Sequence, residues 1–496
     1  MNLSQRFLET AARQADKTAI YYGTESRTYG QLGEQTVALA SLLRGRFGVA
    51  SGDRVGLWLR NRPEFVPALM GALHAGAVVV PINNFLKPEE VAYHVEDAGI
   101  GVLITDGTMD EALGALRARC PELKVWSVDE IGGLDGVGNG DGGMGEAKPE
   151  DLAVLVYTSG TTGRPKGAML THGNLLHNVE SCRRILEIVD HDRFVLMLPM
   201  FHSFMLTVCI LLPLVTGGSI VLIQSLHPAK AMIGEILMHR GSILPAMAQV
   251  FRALAGMPAG VELPLRLCIS GAGPLPNSIL EAFQARFPRI PLIEGYGLSE
   301  ASPVVSVNPV RGPAIPGTIG LPIPDVEVTI QDDEGQMLGD LEDGEICVRG
   351  GNVMRGYWNA PDKTAETLRN GWLLTGDIGH RRPDGYLVIT DRKKDMLKPN
   401  GMNVYPREIE EVIYRFPGIK EAAVVGEPDE RRGERAVAFV AAEEGVVLDE
   451  AALLGFLKER LADYKLPRRA IVLPALPRNA TGKVLKTRLR EMLREE

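Results

Sequence analysis

Residues 152–167 read Leu152-Ala153-Val154-Leu155-Val156-Tyr157-Thr158-Ser159-Gly160-Thr161-Thr162-Gly163-Arg164-Pro165-Lys166-Gly167. The first six are apolar or aromatic and predict a short buried strand. The strand runs straight into a loop of hydroxyl residues and glycines. Those glycines let successive backbone N–H groups point into one concave anion nest. The hydroxyls of Thr158, Ser159, Thr161 and Thr162 add donors for phosphate oxygens, and Lys166 adds a positive charge. The spacing is not that of a Walker loop, because GxxxxGK[ST] is absent. A polar loop of this composition would carry little by itself; its place directly after a buried strand makes it specific.

Working outward, residues 1–150 alternate helical patterns with short apolar runs such as Arg54 to Leu59 and Ala77 to Pro81. That alternation predicts an α/β architecture. Leu3, Phe7 and Ala11 recur at helical spacing near the N-terminus. Residues 132–146 are crowded with glycine and predict a surface linker. Downstream, 315–390 carries short β-rich runs (Val326 to Ile330, Glu345 to Arg349, Tyr386 to Thr390) separated by Gly/Asp turns, which predict a small β subdomain. The charged cluster Asp391-Arg392-Lys393-Lys394-Asp395 follows. Beyond it lies a unit of about 100 residues, the size of a small domain. A helix is expected from Pro406, with Ile409, Val412, Ile413 and Phe416 on its apolar face. The fold class is therefore α/β: a large N-terminal domain over 1–391, with mixed sheets, flanking helices and the β subdomain, and a small α+β C-terminal domain over 392–496.

Bulk properties narrow the partners. The chain has 496 residues, 45% hydrophobic and 23% charged, with a formal net charge of −9. That balance does not suit a general nucleic-acid binder, which carries a basic stripe. Cys120, Cys182, Cys209, Cys268 and Cys347 form no CxxC pair and match no zinc spacing, so reduced thiols are expected. The N-terminus lacks the apolar centre of a signal peptide, and a cytoplasmic location is expected. Phe204 to Ile223 carries no charge and approaches a spanning length. Pro213 and the Gly217-Gly218 pair are expected to cut it into a buried helix and a strand from Ser219 to Ile223. Peripheral membrane contact and homodimer formation stay open.

Six further strings follow the loop in order: Pro199-Met200-Phe201-His202-Ser203-Phe204, Ser270-Gly271-Ala272-Gly273-Pro274-Leu275, Glu294-Gly295-Tyr296-Gly297-Leu298-Ser299-Glu300, Thr375-Gly376-Asp377, the cluster 391–395, and Pro477-Arg478-Asn479-Ala480-Thr481-Gly482-Lys483. Together with residues 157–167 they resemble the motifs of the adenylate-forming superfamily, which includes acyl-CoA synthetases, luciferases and peptide-synthetase adenylation domains. The resemblance covers essentially the whole chain. The run Glu294 to Pro309 is most similar to bacterial medium- and long-chain fatty acyl-CoA synthetases.

This resemblance implies an ATP-dependent ligase that makes an acyl-adenylate and passes the acyl group to CoA, with Mg²⁺ as cofactor. It implies that Thr158, Ser159, Gly160, Thr161, Thr162, Gly163 and Lys166 hold the phosphates. Gly271, Ala272 and Gly273 would line the adenine pocket. Glu294, Gly295, Tyr296 and Gly297 would complete it, with Tyr296 stacked on the ring. Ser299 would bond the α-phosphate, and Glu300 with Thr158 would hold the metal. Asp377 and Arg392 would bind the ribose. His202 would orient the acid, beside Phe204 and Val304. Lys483 would bridge carboxylate and phosphate during adenylation. Lys394 would be the hinge of a mobile C-terminal domain, within 391–395, and Gly401 would line the path of the CoA thiol.

The acid pocket is expected among 202–248 and 294–305. No lysine or arginine lies between Phe204 and Gln224, which favours a hydrophobic acid. Alternatives are an acyl-adenylate ligase or acyl–carrier-protein synthetase, an aryl-CoA ligase, and, in a different class, a non-catalytic nucleotide or acyl sensor. The presence of both Glu300 and Lys483 argues against the sensor.

Overall fold

A computed structural model describes residues 1–496 except 135–146, 159–163, 227, 259, 313, 400–401, 430–432, 479–483 and 496, and the side chains of 132–134 and 229. The first helix, Leu3–Arg13, starts where Asn2 closes a capping box with Gln5. Its apolar stripe Leu3, Phe7 and Ala11 is buried, as the helical spacing predicts. Thr28 caps Tyr29–Gly45 and Thr171 caps His172–Ile185 in the same reciprocal way.

Two sheets dominate the N-terminal domain. The six-stranded sheet runs Lys124–Ser127, Ile100–Thr105, Arg54–Trp58, Val78–Pro81, Leu152–Thr158, Lys166–Thr171. All its pairings are parallel except the last. The nine-stranded sheet runs from Leu321–Pro322 through Val304–Val307, Leu292–Gly297, Leu267–Ser270, Ile243–Ala246, Arg193–Leu196, Ser219–Leu222 and Thr18–Tyr22 to Glu25–Thr28. One continuous core joins the two sheets through the helices between them. The helix Phe65–His74 is buried at every position, which marks an element covered on all sides.

A separate sheet of short antiparallel strands, Val326–Gln331, Gly344–Gly350, Leu368–Arg369, Trp372–Arg381 and Leu387–Arg392, forms the β subdomain. The small C-terminal domain pairs Ile419–Asp429 with Gly433–Ala442 and adds Ala470–Val472. Its helix Pro406–Ile413 starts at the proline, and Ile409 and Ile413 are buried. This is the α/β architecture expected, with a large mixed-sheet domain and a small α+β domain.

The apolar run 204–223 is a buried helix, a turn and a buried strand, as expected, but the cut lies at Gly217-Gly218 and not at Pro213. Residues Met205–Leu211 form a π-helix that passes directly into the α-helix Leu212–Thr216, with Pro213 in its first turn. The Leu212 amide bonds Thr207 O, five residues back. A widened turn just before a proline makes room for a ring that a regular turn would clash with. The break comes only at Gly217, whose φ of 91° is left-handed. Among the described residues no helix is long and apolar enough to cross a membrane. Four of the five cysteines are buried, and Cys120 is partly exposed.

Candidate active site

The site is assembled from the carboxyl ends of parallel strands, where open α/β sheets place their crevices. Leu267–Ser270 and Leu292–Gly297 lie side by side, with Ser270 opposite Glu294. Past these ends the first strand turns through Gly271, Ala272 and Gly273, while the second carries Glu294, Gly295, Tyr296 and Gly297. Ala272 holds a φ of 63°, unusual for a residue with a Cβ. Gly271 is tight: a Cβ there would stand 3.0 Å from the tip of the Phe204 ring. The sequence-predicted ring pocket and acid pocket therefore share a wall at Gly271.

Glu294 is 6% exposed and accepts a hydrogen bond from the Leu275 amide at 3.1 Å. The guanidinium of Arg407, from the small domain, stands 3.6 Å away. Burial pushes the Glu294 carboxyl up to about 7, against the opposing pull of Arg407 and the Leu275 amide. Desolvation outweighs one partner charge here.

Tyr296, Asp377 and Arg392 meet as one cluster. The Tyr296 hydroxyl donates to Asp377 Oδ2 at 2.6 Å, and Arg392 Nε lies 3.0 Å from Asp377 Oδ1. Asp377 and Arg392 face each other across the antiparallel pair Trp372–Arg381 and Leu387–Arg392, so the β subdomain delivers both. Burial, with the Asp377 charge beside it, raises the Tyr296 hydroxyl well above its ordinary range. Asp377 is the leading cause that raises Arg392. A buried carboxylate flanked by a neutral phenol and a fixed cation is a ready acceptor for a ligand's hydroxyl groups.

A third cluster joins the two stems of the glycine-rich loop to Glu300. Thr158 and Lys166 are partners across the strand ladder, and the Thr158 hydroxyl points to Lys166 O at 3.5 Å. The Lys166 ammonium sits 4.3 Å from the centre of the Tyr357 ring. On that same residue the hydroxyl donates to Glu300 Oε1 at 2.8 Å. Glu300 lies in the short turn Ser299–Ala301. Ser299 Oγ and Ser203 Oγ are 3.0 Å apart, which ties this turn to the His202 segment. His202 Nδ1 accepts from the Phe204 amide at 3.2 Å. Val304 is half-buried on the next strand, and its carbonyl accepts from Asn178 and Asn352.

The charged stretch after Asp391 is less solvated than a charge run suggests. Lys393 pairs with Asp333 and Glu345 at 2.6 and 3.0 Å, and buried Asp395 pairs with Arg490 at 2.6 Å. Buried Asp391 accepts from the Arg407 amide at 2.8 Å. Lys394 is exposed. Ser159, Gly160, Thr161, Thr162, Gly163, Gly401 and Lys483 lie outside the described residues.

The donor set fits Mg²⁺. Among the described residues no group of three His, Cys, Asp or Glu side chains converges on a metal position. A lone carboxylate such as Glu300, near the stems of the glycine-rich loop, would match an ion held mainly by substrate phosphates and water. Sequence reasoning missed Tyr357, Ser203 and Arg407. Tyr357 reaches the site because it bridges to Ala168 beside the loop's second stem, and no spacing in Gly356-Tyr357-Trp358 announces that. Arg407 follows the Pro406 that starts its helix, but its partner lies 113 residues away on another domain.

Two family models match the chain: AMP-binding enzyme over residues 7–358 and AMP-binding enzyme C-terminal domain over 408–483. The chain is 34% identical to a long-chain-fatty-acid–CoA ligase of Bacillus subtilis (strain 168), across 97% of this chain and 93% of that protein. It is also 34% identical to a feruloyl-CoA synthase of Amycolatopsis sp, across 95% of each. In structure it resembles ATP-bound MatB from Rhodopseudomonas palustris, with a TM-score of 0.91, 31% identity and 99% of each chain covered. Against the apo form of that same protein the TM-score is 0.80, with 100% of this chain and 99% of that one covered. Because the two neighbours share a sequence, the difference lies in conformation, and this chain is closer to the nucleotide-bound form.

Proposed function

The chain belongs to the AMP-binding enzyme family, and from that premise we propose that it is an AMP-forming ligase joining a hydrophobic carboxylic acid to CoA at the expense of ATP. The observation that carries this reading is that the segment 292–301 links three clusters: Tyr296–Asp377–Arg392, the Thr158–Lys166 stems with Glu300, and His202 beside Phe204. Tyr296 and the glycines 271 and 273 suit adenine, and Asp377 with Arg392 suits ribose. Lys166 and the hydroxyls of the loop suit the phosphates. His202, Phe204 and Val304 suit the acid.

The chemical difficulty is that an anionic carboxylate must attack an anionic phosphate. A site that neutralises charge and aligns the partners removes most of that barrier. The carboxylate oxygen forms a bond to the α-phosphorus, the bond to the β-phosphate oxygen breaks, and pyrophosphate leaves. Lys166 holds the leaving group, Ser299 the α-phosphate, and Lys483 spans carboxylate and phosphate. Glu300 and Thr158 would hold Mg²⁺, which when bound supplies positive charge to the phosphates. In the second step the CoA sulfur attacks the acyl carbon, the bond to AMP breaks, and the thiol proton is released.

The domain boundary belongs between 391 and 392, with the hinge at 391–395 around Lys394. Lys394 is exposed where the last strand of the β subdomain ends, a position free to change backbone angles. Swinging the small domain would withdraw Lys483 and bring Gly401 to the thiol path.

Two acid classes are supported. The fully buried, uncharged segment Met205–Leu211 suits a fatty acyl chain, as does the likeness to the long-chain ligase. Similarity to a feruloyl-CoA synthase at equal identity supports an aromatic acid. Acid-dependent exchange of labelled pyrophosphate into ATP tests the first half-reaction without CoA. Exchange with a fatty or aromatic acid is expected. An enzyme that binds ATP yet exchanges with no acid would overturn the proposal.

A further inference from the structure

We propose that Tyr357 is a positioning residue that holds Lys166 and Glu300 apart and aims both at the nucleotide. The proposal rests on the assignment of those two charges to ATP given above.

Lys166 and Glu300 carry opposite charges and address the same aromatic side chain. The ammonium lies 4.3 Å from the ring centre, where the negative face of a phenol attracts a cation. The carboxylate takes the hydroxyl at 2.8 Å. Yet among the described residues no ion pair joins Lys166 to Glu300. Tyr357 thus satisfies each charge with a different part of one side chain, and the phenol stands where a direct salt bridge would otherwise collapse the cleft. Such a pair would consume the lysine needed by the phosphates.

The tyrosine is fixed for this purpose. It is 6% exposed, its amide donates to Thr364 Oγ1 at 2.9 Å, and its backbone bridges to Ala168, two residues past Lys166. On the other side, the Met354 amide donates to Glu300 O at 2.8 Å. The segment 354–357 therefore clamps the turn that holds Glu300 and the strand that holds Lys166.

The test is a double-mutant cycle on ATP binding in EDTA, followed by calorimetry, with Tm recorded for every variant. In Tyr357→Phe the ring stays but the carboxylate is freed to turn onto Lys166. ATP affinity is expected to fall about fivefold, in line with the ~1 kcal/mol of one hydrogen bond. In a Glu300→Gln background, where no charge is left to pair, the same Tyr357→Phe change is expected to cost less than about twofold. Tyr357→Leu, which also removes the ring, should lose more and be relieved only in part.

A Tyr357→Phe penalty of equal size in both backgrounds, or none in either, would overturn the proposal, because a merely structural tyrosine does not care about the charge at 300. Lys166→Ala separates the two levels. If Lys166→Ala weakens ATP binding while Tyr357→Phe does not, the positioning role alone fails. If Lys166→Ala binds ATP like the parent, the nucleotide assignment fails and the positioning role with it.

Discussion

At the scale of single residues, the account makes two assignments that can be separated in solution. Lys483→Ala should lower acid-dependent AMP and pyrophosphate formation by at least about 100-fold, the usual cost of removing one charge-stabilising donor. It should leave transfer from supplied acyl-adenylate to CoA near the parental rate. Equal loss in both half-reactions, measured by single-turnover kinetics, would count against a role confined to adenylation. Glu294 offers a stability test. Its carboxyl is raised from 4.5 to about 7, so the folded chain takes up a proton in that window and stability falls as pH rises through it. Glu294→Gln, which keeps an acceptor for the Leu275 amide, should flatten the fall of Tm between pH 4.5 and 7. The residues legible in the sequence are those whose chemistry is carried by an ordered string. Tyr296, Asp377 and Arg392 are named from three separate motifs and meet within 3.0 Å. Tyr357 was not legible, because its place depends on a bridge to Ala168 that only folding creates.

At the scale of elements, periodicity carried most of the reading. Leu152–Thr158 and the N-terminal helix follow from apolar spacing, and Pro406–Ile413 from a proline at the first helical position. The failure at Pro213 has a local cause. Sequence rules treat proline as a stop, but a buried π turn can carry the chain past it. That wide helix begins just after Phe204, and its position sets how the ring meets Gly271. Gly271→Ala would insert a methyl 3.0 Å from the ring tip. Overpacking of this kind costs about 1–3 kcal/mol. Steady-state kinetics should show the KM for the acid rising about tenfold, with a smaller change for ATP.

At the scale of the whole molecule, polar contacts among the described residues tie the small domain to the large one. Arg407 meets Glu294 at 3.6 Å, and Arg252 meets Glu443 at 2.8 Å on the surface. The surface Arg252–Glu443 pair contributes roughly 0–1 kcal/mol, whereas the Arg407–Glu294 pair is largely buried. The arrangement is nearer the ATP-bound than the apo form of its structural neighbour. Gly401→Leu should then leave acid-dependent pyrophosphate exchange intact and slow thioester formation at least about tenfold, because a side chain would fill the slender path to the acyl carbon. Undiminished CoA transfer in that variant would remove Gly401 from the path. What the sequence could not provide at this scale is the interface itself, since Glu294 and Arg407 carry no mark that pairs them.

The most direct measurement is a panel of carboxylic acids from C2 to C18, with aromatic acids added, incubated with ATP, Mg²⁺ and enzyme in the presence and absence of CoA. AMP, pyrophosphate and thioester would be followed together. The account predicts AMP and thioester in equal amounts, dependent on CoA, for one class of hydrophobic acid. Pyrophosphate release with no thioester, or no use of ATP with any acid, would contradict it.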